Sequence, residues 1–266
     1  MKGKRLDQRL FELGLAESRE KAKATIMSGI VYVNGQKSDK PGTAVADEDQ
    51  IEVRGSACPY VSRGGFKLAK ALEVFPIAPS GKVCIDCGAS TGGFTDVLLK
   101  NGAAKVYAVD VGYGQLAWQL RQDSRVVVME RTNARNLTPD MFPEQMDIGV
   151  MDVSFISIRL ILPPLHGLLK PGGEVVCLIK PQFEAGRADV GKKGVVRDRA
   201  VHERVLREMV EFFPEAGYAL QGLDYSPVRG PEGNIEYLAY LKRDAGSAIE
   251  PDIPGLVAAS HGELDK

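Results

Sequence analysis

The chain has few of the residues that build disulfide frameworks and metal centres. Its 266 residues include four cysteines, three histidines and one tryptophan. The cysteines are Cys58, Cys84, Cys87 and Cys177. Cys84 and Cys87 form a C-x-x-C pair, but they fall on a predicted strand, where residues i and i+3 point to opposite faces. We therefore expect no disulfide framework, no redox pair and no metal site. We expect structural or solvated roles for the histidines, which are His166, His202 and His261.

The chain also lacks a strong net charge and a long apolar segment. Lys and Arg total 34 against 35 Asp and Glu, and hydrophobic residues make up 44% of the chain. No stretch reaches the roughly 18 apolar residues of a membrane helix, and the first residues have no apolar core typical of a signal peptide. We expect a soluble cytoplasmic protein, of a length that suits two domains, with no membrane partner. Any affinity for nucleic acid must come from local charge.

The most informative stretch is a short apolar run followed by a glycine-rich turn, residues 83–94. Val83–Asp86 predicts a strand, Gly88–Gly93 a ligand-binding loop, and the apolar positions from Phe94 to Lys100 a helix that Asn101 and Gly102 end. Glycine suits a loop whose backbone passes close to a ligand, and the loop leads into a helix N-terminus. These elements predict the first unit of a parallel sheet.

The spacing of this loop indicates which ligand it binds. A dinucleotide fingerprint reads G-x-G-x-x-G, whereas this loop reads D-x-G-x-S-x-G-G from Asp86 to Gly93. A second predicted strand ends in Asp110, where a carboxylate could hold a ribose diol. The pattern resembles the S-adenosylmethionine (SAM) site of Rossmann-like methyltransferases. A nicotinamide site and an ordinary turn of an α/β fold remain the alternatives.

The first 54 residues have the pattern of a separate small α+β module. Leu6, Leu10 and Leu13 mark one helix face closed by Gly14, and Ser18 can cap a second helix with apolar Ala22, Ile26 and Met27. A strand at 30–33, the hairpin turn Asn34-Gly35 and a strand at 50–53 follow. Residues 1–40 hold nine Lys or Arg against five Asp or Glu. The basic charge is therefore concentrated on the helical part, although such charge is often only a solvated helix surface.

Beyond a linker at 55–60, the remaining sequence predicts a helix that carries Lys67 and then a Rossmann-like α/β sheet over 61–243. Predicted strands end in Asp86, Asp110, Asp152 and Lys180, and Glu236 opens the last one. The carboxyl ends of parallel strands meet at one edge of a sheet, so these side chains should converge there. The polar loop 183–198 could form a lid over RNA. Residues 244–266 show no clear periodicity, and we expect a loosely ordered tail.

Two resemblances extend this interpretation. The order of residues in the first module resembles the RNA-binding domain first described in ribosomal protein S4. The segments around Lys67, Asp152, Lys180 and Glu236, namely S-R-G-G-F-K, D-V-S-F, K-P-Q-F-E and G-N-I-E, match the Lys-Asp-Lys-Glu tetrad of FtsJ-like ribose 2′-O-methyltransferases. Over residues 3–243 the chain is similar to the TlyA family, ribosomal RNA methyltransferases also called haemolysins.

The resemblance implies SAM-dependent 2′-O-methylation of cytidine in ribosomal RNA or ribosomal subunits, by a monomer or a weak dimer. It implies catalytic roles for the tetrad, with Lys180 as the general base and Lys67 steadying the developing oxyanion. The cofactor-binding residues that we expect are Asp86, Gly88, Ser90, Gly92, Gly93, Phe94, Asp110 and Asn133. Asn133 stands where the wider family often has an acid. The RNA-binding residues that we expect are Arg5, Arg9, Arg19, Lys21, Lys23, Arg63, Lys192 and Lys193. A non-catalytic RNA-binding protein and a pore-forming haemolysin are the alternatives.

Overall fold

The structure is a computed structural model that describes residues 3–16, 18–54 and 58–264. The chain divides into two compact units, Met1–Arg63 and Gly64–Lys266. The division falls a few residues after the predicted linker 55–60, of which residues 55–57 lie outside the described ones. The last two residues of the predicted tail, 265 and 266, also lie outside them.

The first unit is a small α+β domain, as predicted. Its elements are β1 (Lys4–Arg5), α1 (Leu6–Glu12), α2 (Arg19–Met27), β2 (Val31–Val33), β3 (Gln36–Lys37), β4 (Ala44–Val45) and β5 (Ile51–Val53). Ser18 caps α2 by accepting a hydrogen bond from the Lys21 amide at 3.1 Å. Asn34 and Gly35 have φ of 50° and 76°, the left-handed angles that a tight hairpin between β2 and β3 needs. Leu6, Leu10, Ala22 and Ile26 pack in its core, whereas Leu13 and Met27, expected on the apolar faces, are exposed.

The second unit is an α/β domain built on seven strands. Its elements are α3 (Gly65–Val74), β6 (Val83–Cys87), α4 (Gly93–Lys100), β7 (Lys105–Val109), α5 (Trp118–Arg121), β8 (Val126–Met129), β9 (Met146–Met151), α6 (Leu162–Leu168), β10 (Leu169–Ile179), α7 (Pro181–Glu184), α8 (Arg199–Glu215), β11 (Tyr218–Tyr225), β12 (Tyr237–Arg243) and α9 (Ile253–Leu264). The strand order is β11-β12-β10-β9-β6-β7-β8. β10, β9, β6, β7 and β8 run parallel, and β12 pairs antiparallel with β10 and β11.

The prediction of a loosely ordered tail over 244–266 is wrong for residues 253–264. Residues Ile253–Leu264 form α9, with Ile253 and Val257 buried in the main hydrophobic core. The Tyr237 hydroxyl lies 3.2 Å from the Ser260 hydroxyl of this helix. The segment Ile253-Pro254-Gly255 gives little helical periodicity, but proline is tolerated in a first helical turn. Packing against the sheet domain, rather than local propensity, stabilises this helix.

The next findings concern the cysteines and histidines, for which the sequence predicts no metal site and structural or solvated roles. Cys84 and Cys87 are both buried within β6, and among residues 3–16, 18–54 and 58–264 no cluster of His, Cys, Asp or Glu could hold a metal ion. His202 is buried, with its Nδ1 2.8 Å from the Tyr237 hydroxyl and its Nε2 3.0 Å from the Val196 carbonyl, a structural role. The part of the chain that the structure describes contains no helix long and apolar enough to cross a membrane.

Candidate active site

The register of the sheet brings the predicted polar residues to one edge. Met151 of β9 pairs with Cys87 of β6 and Cys177 of β10, so Asp152, which follows Met151, lies at the carboxyl ends of the parallel strands. Ile179 of β10 pairs with Tyr237 of β12. Because β12 is antiparallel, its first residue lies at the edge where β10 ends. Lys180 and Glu236 therefore flank paired residues, although Glu236 precedes β12 rather than opening it as predicted.

The four predicted catalytic side chains form one continuous polar cluster. Lys67 Nζ lies 2.6 Å from Glu236 Oε2 and 3.1 Å from Asp152 Oδ2. Lys180 Nζ lies 2.5 Å from Asp152 Oδ1 and donates to the Ser154 hydroxyl at 3.1 Å. Asp152 thus bridges the two lysines, and Lys67 bridges the two carboxylates. The cluster contains two positive and two negative charges, which lets it be buried at all.

Burial and charge act in opposite directions on the ionisation of this cluster. Lys67 is 6% exposed and Glu236 is 1% exposed. Burial lowers the pKa of Lys67, but the charges of Asp152 and Glu236 outweigh it and hold that pKa above its usual value. Burial likewise raises the pKa of Asp152, but Lys67 and Lys180 outweigh it and hold that pKa below its usual value. Lys67 therefore stays protonated and Asp152 ionised across the neutral range.

A pocket of about 410 Å³ opens beside this cluster, and Asp152 lies in its wall. The predicted cofactor residues Gly88, Ser90, Asp110 and Asn133 are also in its wall. Gly88 has a φ of 85°, and a Cβ there would lie 2.9 Å from the Asp152 carbonyl oxygen. Only glycine fits where the turn after β6 passes so close to the end of β9.

The predicted ribose acceptor, Asp110, is held in place by backbone amides of two loops. Its Oδ2 accepts from the Ser90 amide and its Oδ1 from the Gly112 amide, each at 2.7 Å. Each oxygen of an ionised carboxylate has a further lone pair, so Asp110 can still accept from hydroxyls of a bound ligand. The side chain of Asn133, also in the pocket wall, accepts from the Arg135 amide at 3.0 Å, which fixes its position.

Four of the predicted cofactor residues do not line this pocket. Gly92, Gly93 and Phe94 are buried at the start of α4, where Gly92 has a φ of 96° and packs against Leu116 and Leu120. Asp86 is fully buried, and its Oδ2 accepts from the amide and the hydroxyl of Thr95 at 3.0 and 2.7 Å. Asp86 therefore caps the N-terminal turn of α4, and none of the four is among the residues that line the pocket.

The pocket also contains residues that the sequence analysis did not identify. They are Val109, Val111, Gln115, Thr132, Ala134, Val153, Ser154, Phe155, Ile156 and Ile161. The segment after Asp152 is the largest omission. Phe155 is 92% exposed and has a φ of 63°, unusual for a bulky residue. The match to D-V-S-F marked this segment, but nothing in its composition indicated which side chains would face a pocket.

The buried Asp86 gives a prediction for the pH dependence of stability. Burial raises the pKa of Asp86 to about 7, so between about pH 4 and pH 7 the folded protein holds a proton that the unfolded chain has lost. Asp86 therefore contributes stability at low pH that is lost as the pH rises towards 7. Relative to the wild type, Asp86→Asn should become more stable over this interval, by at most about 4 kcal/mol.

Urea unfolding of both proteins at several pH values measures this difference. Asp140→Asn, which makes the same substitution at an exposed position outside the pocket, is the control. If the difference between Asp86→Asn and the wild type stays constant from pH 4 to pH 8, Asp86 does not carry the proton.

The basic residues of the first unit are partly organised by one acid. Asp7 is fully buried, and its two oxygens accept from Arg5 at 3.0 and 3.2 Å, while Arg19 Nε lies 3.4 Å from Oδ2. The hydrogen bond from Arg5 holds the pKa of Asp7 below its usual value. Asp7 thereby holds two of the predicted RNA-binding arginines together at the starts of α1 and α2.

The other predicted RNA-binding residues occupy varied settings. Arg9 donates to the Asp47 carbonyl at 3.1 Å, whereas Lys21 is exposed and Lys23 half-buried on α2. Arg63 is half-buried at the end of the first unit. Lys192 and Lys193 are exposed in the second unit, in the polar loop between α7 and α8.

Each of the two units matches a known protein family. The FtsJ-like methyltransferase family matches residues 60–243, and the S4 domain family matches residues 4–51. The residue numbers agree with the two units of the structure, apart from α9, which lies beyond the methyltransferase match.

Several relatives are similar over nearly the whole chain. YqxC of Bacillus subtilis is 57% identical, over 99% of this chain and 96% of its own. The 16S/23S rRNA (cytidine-2′-O)-methyltransferase TlyA of Mycobacterium tuberculosis is 46% identical, over 98% of this chain and 97% of its own. Hemolysin A of Brachyspira hyodysenteriae is 46% identical, over 89% and 99% of the two chains.

Solved structures support the same relationship. A structure of a hemolysin from Streptococcus thermophilus has a TM-score of 0.80 and 47% identity, and the match covers 100% of this chain and 98% of that one. A SAM-dependent methyltransferase from Listeria monocytogenes shares the fold alone, with a TM-score of 0.53 at 15% identity over 69% of this chain and 99% of that one. With its S4 domain followed by an FtsJ-like methyltransferase domain, the chain belongs to the TlyA family.

Proposed function

We propose that the protein uses SAM to methylate the ribose 2′-hydroxyl of cytidine in ribosomal RNA. The observation that carries the proposal is the cluster of Lys67, Asp152, Lys180 and Glu236 beside the pocket. These side chains provide a base and fixed charges next to the place where a cofactor would bind. The printed name of the M. tuberculosis relative, an rRNA (cytidine-2′-O)-methyltransferase, supports the choice of substrate.

The residues of the pocket suit SAM. Asp110 would accept hydrogen bonds from the ribose hydroxyls, and Asn133 would lie near the adenine. The turn at Gly88 would let the methionine part approach the backbone, close to Asp152. When bound, SAM supplies a methyl group on a positively charged sulfur. The chain has to bring a ribose hydroxyl to that group and remove the hydroxyl proton.

In this proposal Lys180 takes this proton. A ribose hydroxyl is a weak nucleophile, so a base must accept its proton as the new oxygen–carbon bond forms. Lys180 can do so only when it is neutral, which requires that it first give a proton to solvent. Asp152 and Ser154 orient its amine at 2.5 and 3.1 Å. Lys67, held by both carboxylates, stays positive and stabilises the oxyanion that develops on the ribose.

The N-terminal unit would bind the RNA. Its exposed arginines and lysines can contact phosphates, which positions an RNA without reading its sequence. Folded RNA is recognised mainly through its shape and its backbone. In this proposal the first unit provides affinity, and the second unit provides chemistry.

One experiment tests the proposed function directly. The full-length protein is incubated with methyl-labelled SAM and isolated ribosomal subunits, and the ribose methylations are mapped. Label on the 2′-oxygen of a cytidine is the expected result. Binding to subunits without transfer of label would indicate a non-catalytic RNA-binding protein, and label on a base would place the chemistry elsewhere.

Loss of the Asp110 carboxylate should weaken SAM binding strongly. Asp110→Ala removes the acceptor for the ribose and frees the Ser90 and Gly112 amides. Hydrogen bonds to a charged group contribute about 1.5–3 kcal/mol, so we expect about tenfold to hundredfold weaker binding. Calorimetry with SAM and with NAD measures it, with Asp140→Ala as the control. Tight binding of NAD in place of SAM would overturn the assignment of the pocket.

A further inference from the structure

We propose that Asn234 is a positioning residue that fixes Glu236 of the catalytic cluster to the turn that carries Lys192 and Lys193. A phosphate of the substrate RNA held on that turn and the catalytic carboxylate would then move as one unit. The inference rests on the proposed function for the identity of the substrate. The structural link between the turn with Lys192 and Lys193 and the segment that leads to Glu236 rests only on contacts within the second unit.

The side chain of Asn234 hydrogen-bonds to the backbone on the C-terminal side of the turn that carries Lys192 and Lys193. It is 2% exposed, and its Oδ1 accepts from the Val196 amide at 3.0 Å while its Nδ2 donates to the Gly194 carbonyl at 2.9 Å. The turn is closed by its own backbone, since the Gly194 amide donates to the Gly191 carbonyl at 2.8 Å. An amide suits this place because it offers both a donor and an acceptor; a carboxylate lacks the donor.

The backbone of Asn234 closes a second turn, which leads directly to Glu236. The Gly230 amide donates to the Asn234 carbonyl, and the Gly233 amide donates to the Gly230 carbonyl, both at 2.9 Å. Gly233 has a φ of 96°, which a side chain would strain. Two residues after Asn234, the Glu236 carbonyl accepts from the Ser226 amide at 2.8 Å. The carboxylate of Glu236 meets Lys67 at 2.6 Å.

Charge on the first turn indicates what it contacts. Lys192 and Lys193 are exposed at its tip. The cavity beside them is also lined by Arg197, Asp189 and Asp198, and Asp189 pairs with Arg204 at 2.6 Å. Three basic side chains thus stand against two acids, one of which is already paired, so the turn keeps a net positive charge, which suits a phosphate of the RNA backbone.

Hydrogen exchange tests the mechanical link without any measurement of activity. In the full-length variant Asn234→Ala, the Val196 amide loses its acceptor and should exchange at least tenfold faster than in the wild type. If Asn234 also fixes the segment before Glu236, the Ser226 amide should exchange about tenfold faster too. Unchanged exchange at Ser226 would overturn the link. Asn101→Ala, which removes an amide donor to the Val97 carbonyl at 2.8 Å, is the matched control.

Steady-state kinetics tests the functional consequence. Asn234→Ala and Asn234→Asp should lower kcat about tenfold to hundredfold with unchanged SAM affinity, at a temperature where both variants are folded. In the wild-type background, Lys192→Gln with Lys193→Gln should raise the KM for RNA and lower kcat. In the Asn234→Ala background, the same pair should raise only KM. Equal effects on kcat in both backgrounds would overturn the coupling, whereas a wild type that transfers no methyl group would overturn the proposed function and leave the exchange result intact.

Discussion

Replacement of Lys180 by arginine should leave SAM and RNA binding intact and lower methyl transfer by about 10²–10⁴-fold, the usual effect of losing a general base. Arginine keeps a positive charge and several donors, so it can still pair with Asp152 and stabilise an oxyanion. It cannot be deprotonated in a protein and therefore cannot accept the ribose proton. Replacement by alanine would be less informative, because it removes the base and the charge together. Single-turnover transfer from labelled SAM, with both binding constants measured separately, gives the result.

The larger planar head of arginine requires a control at a comparable ion pair. Lys70 on α3 lies 3.2 Å from Asp224 Oδ1 and donates to the Tyr225 carbonyl at 2.8 Å. Lys70→Arg therefore makes the same chemical change in a partly buried pair outside the catalytic cluster, and it should keep most of the activity. Near-normal transfer by Lys180→Arg would rule out Lys180 as the base and move that role to Asp152, Glu236 or water.

Much of the arrangement of this site could be predicted from the sequence, because parallel strands have their carboxyl ends at the same edge of the sheet. Asp110, Asp152 and Lys180 each follow an apolar strand, and the rule that parallel strands share a carboxyl edge is enough to bring them together. Lys67 and Glu236 are different. They are 169 residues apart in the chain, yet their side chains meet at 2.6 Å. Only the resemblance to a known tetrad paired them, because no local pattern encodes such a contact.

Two departures of the structure from the sequence-based expectations have a common physical cause. Cofactor binding by Asp86 stays a prediction, but its side chain does not line the pocket and accepts from Thr95 of the following helix. The direction of a side chain depends on the packing of the whole sheet. The same holds for α9, whose burial of Ile253 and Val257 depends on partners far away in the sequence. Local propensity cannot report either feature.

We expect the S4 domain to supply most of the affinity for RNA, because five of the eight predicted RNA-binding residues lie in the range that it matches, 4–51. Arg5 precedes α1, and Lys21 and Lys23 lie on α2. When these three residues are changed, Arg19 can still pair with the buried Asp7. The variant that carries Arg5→Gln, Lys21→Gln and Lys23→Gln therefore removes three positive charges and keeps one arginine on Asp7. Its matched control carries Lys100→Gln, Arg125→Gln and Arg207→Gln, three exposed positions of the second unit with the same change in net charge.

The triple variant of the first unit should bind ribosomal RNA about tenfold to hundredfold more weakly near 0.15 M salt, and the slope of log affinity against log salt should fall by about two to three. Each lost phosphate contact releases one fewer condensed counterion, so the loss of affinity and the flatter slope must appear together. SAM affinity should not change, because the pocket belongs to the second unit. Filter binding across a salt series measures both quantities. If the control variant loses as much affinity and slope as the first, the RNA is held by overall charge and the S4 domain has another partner.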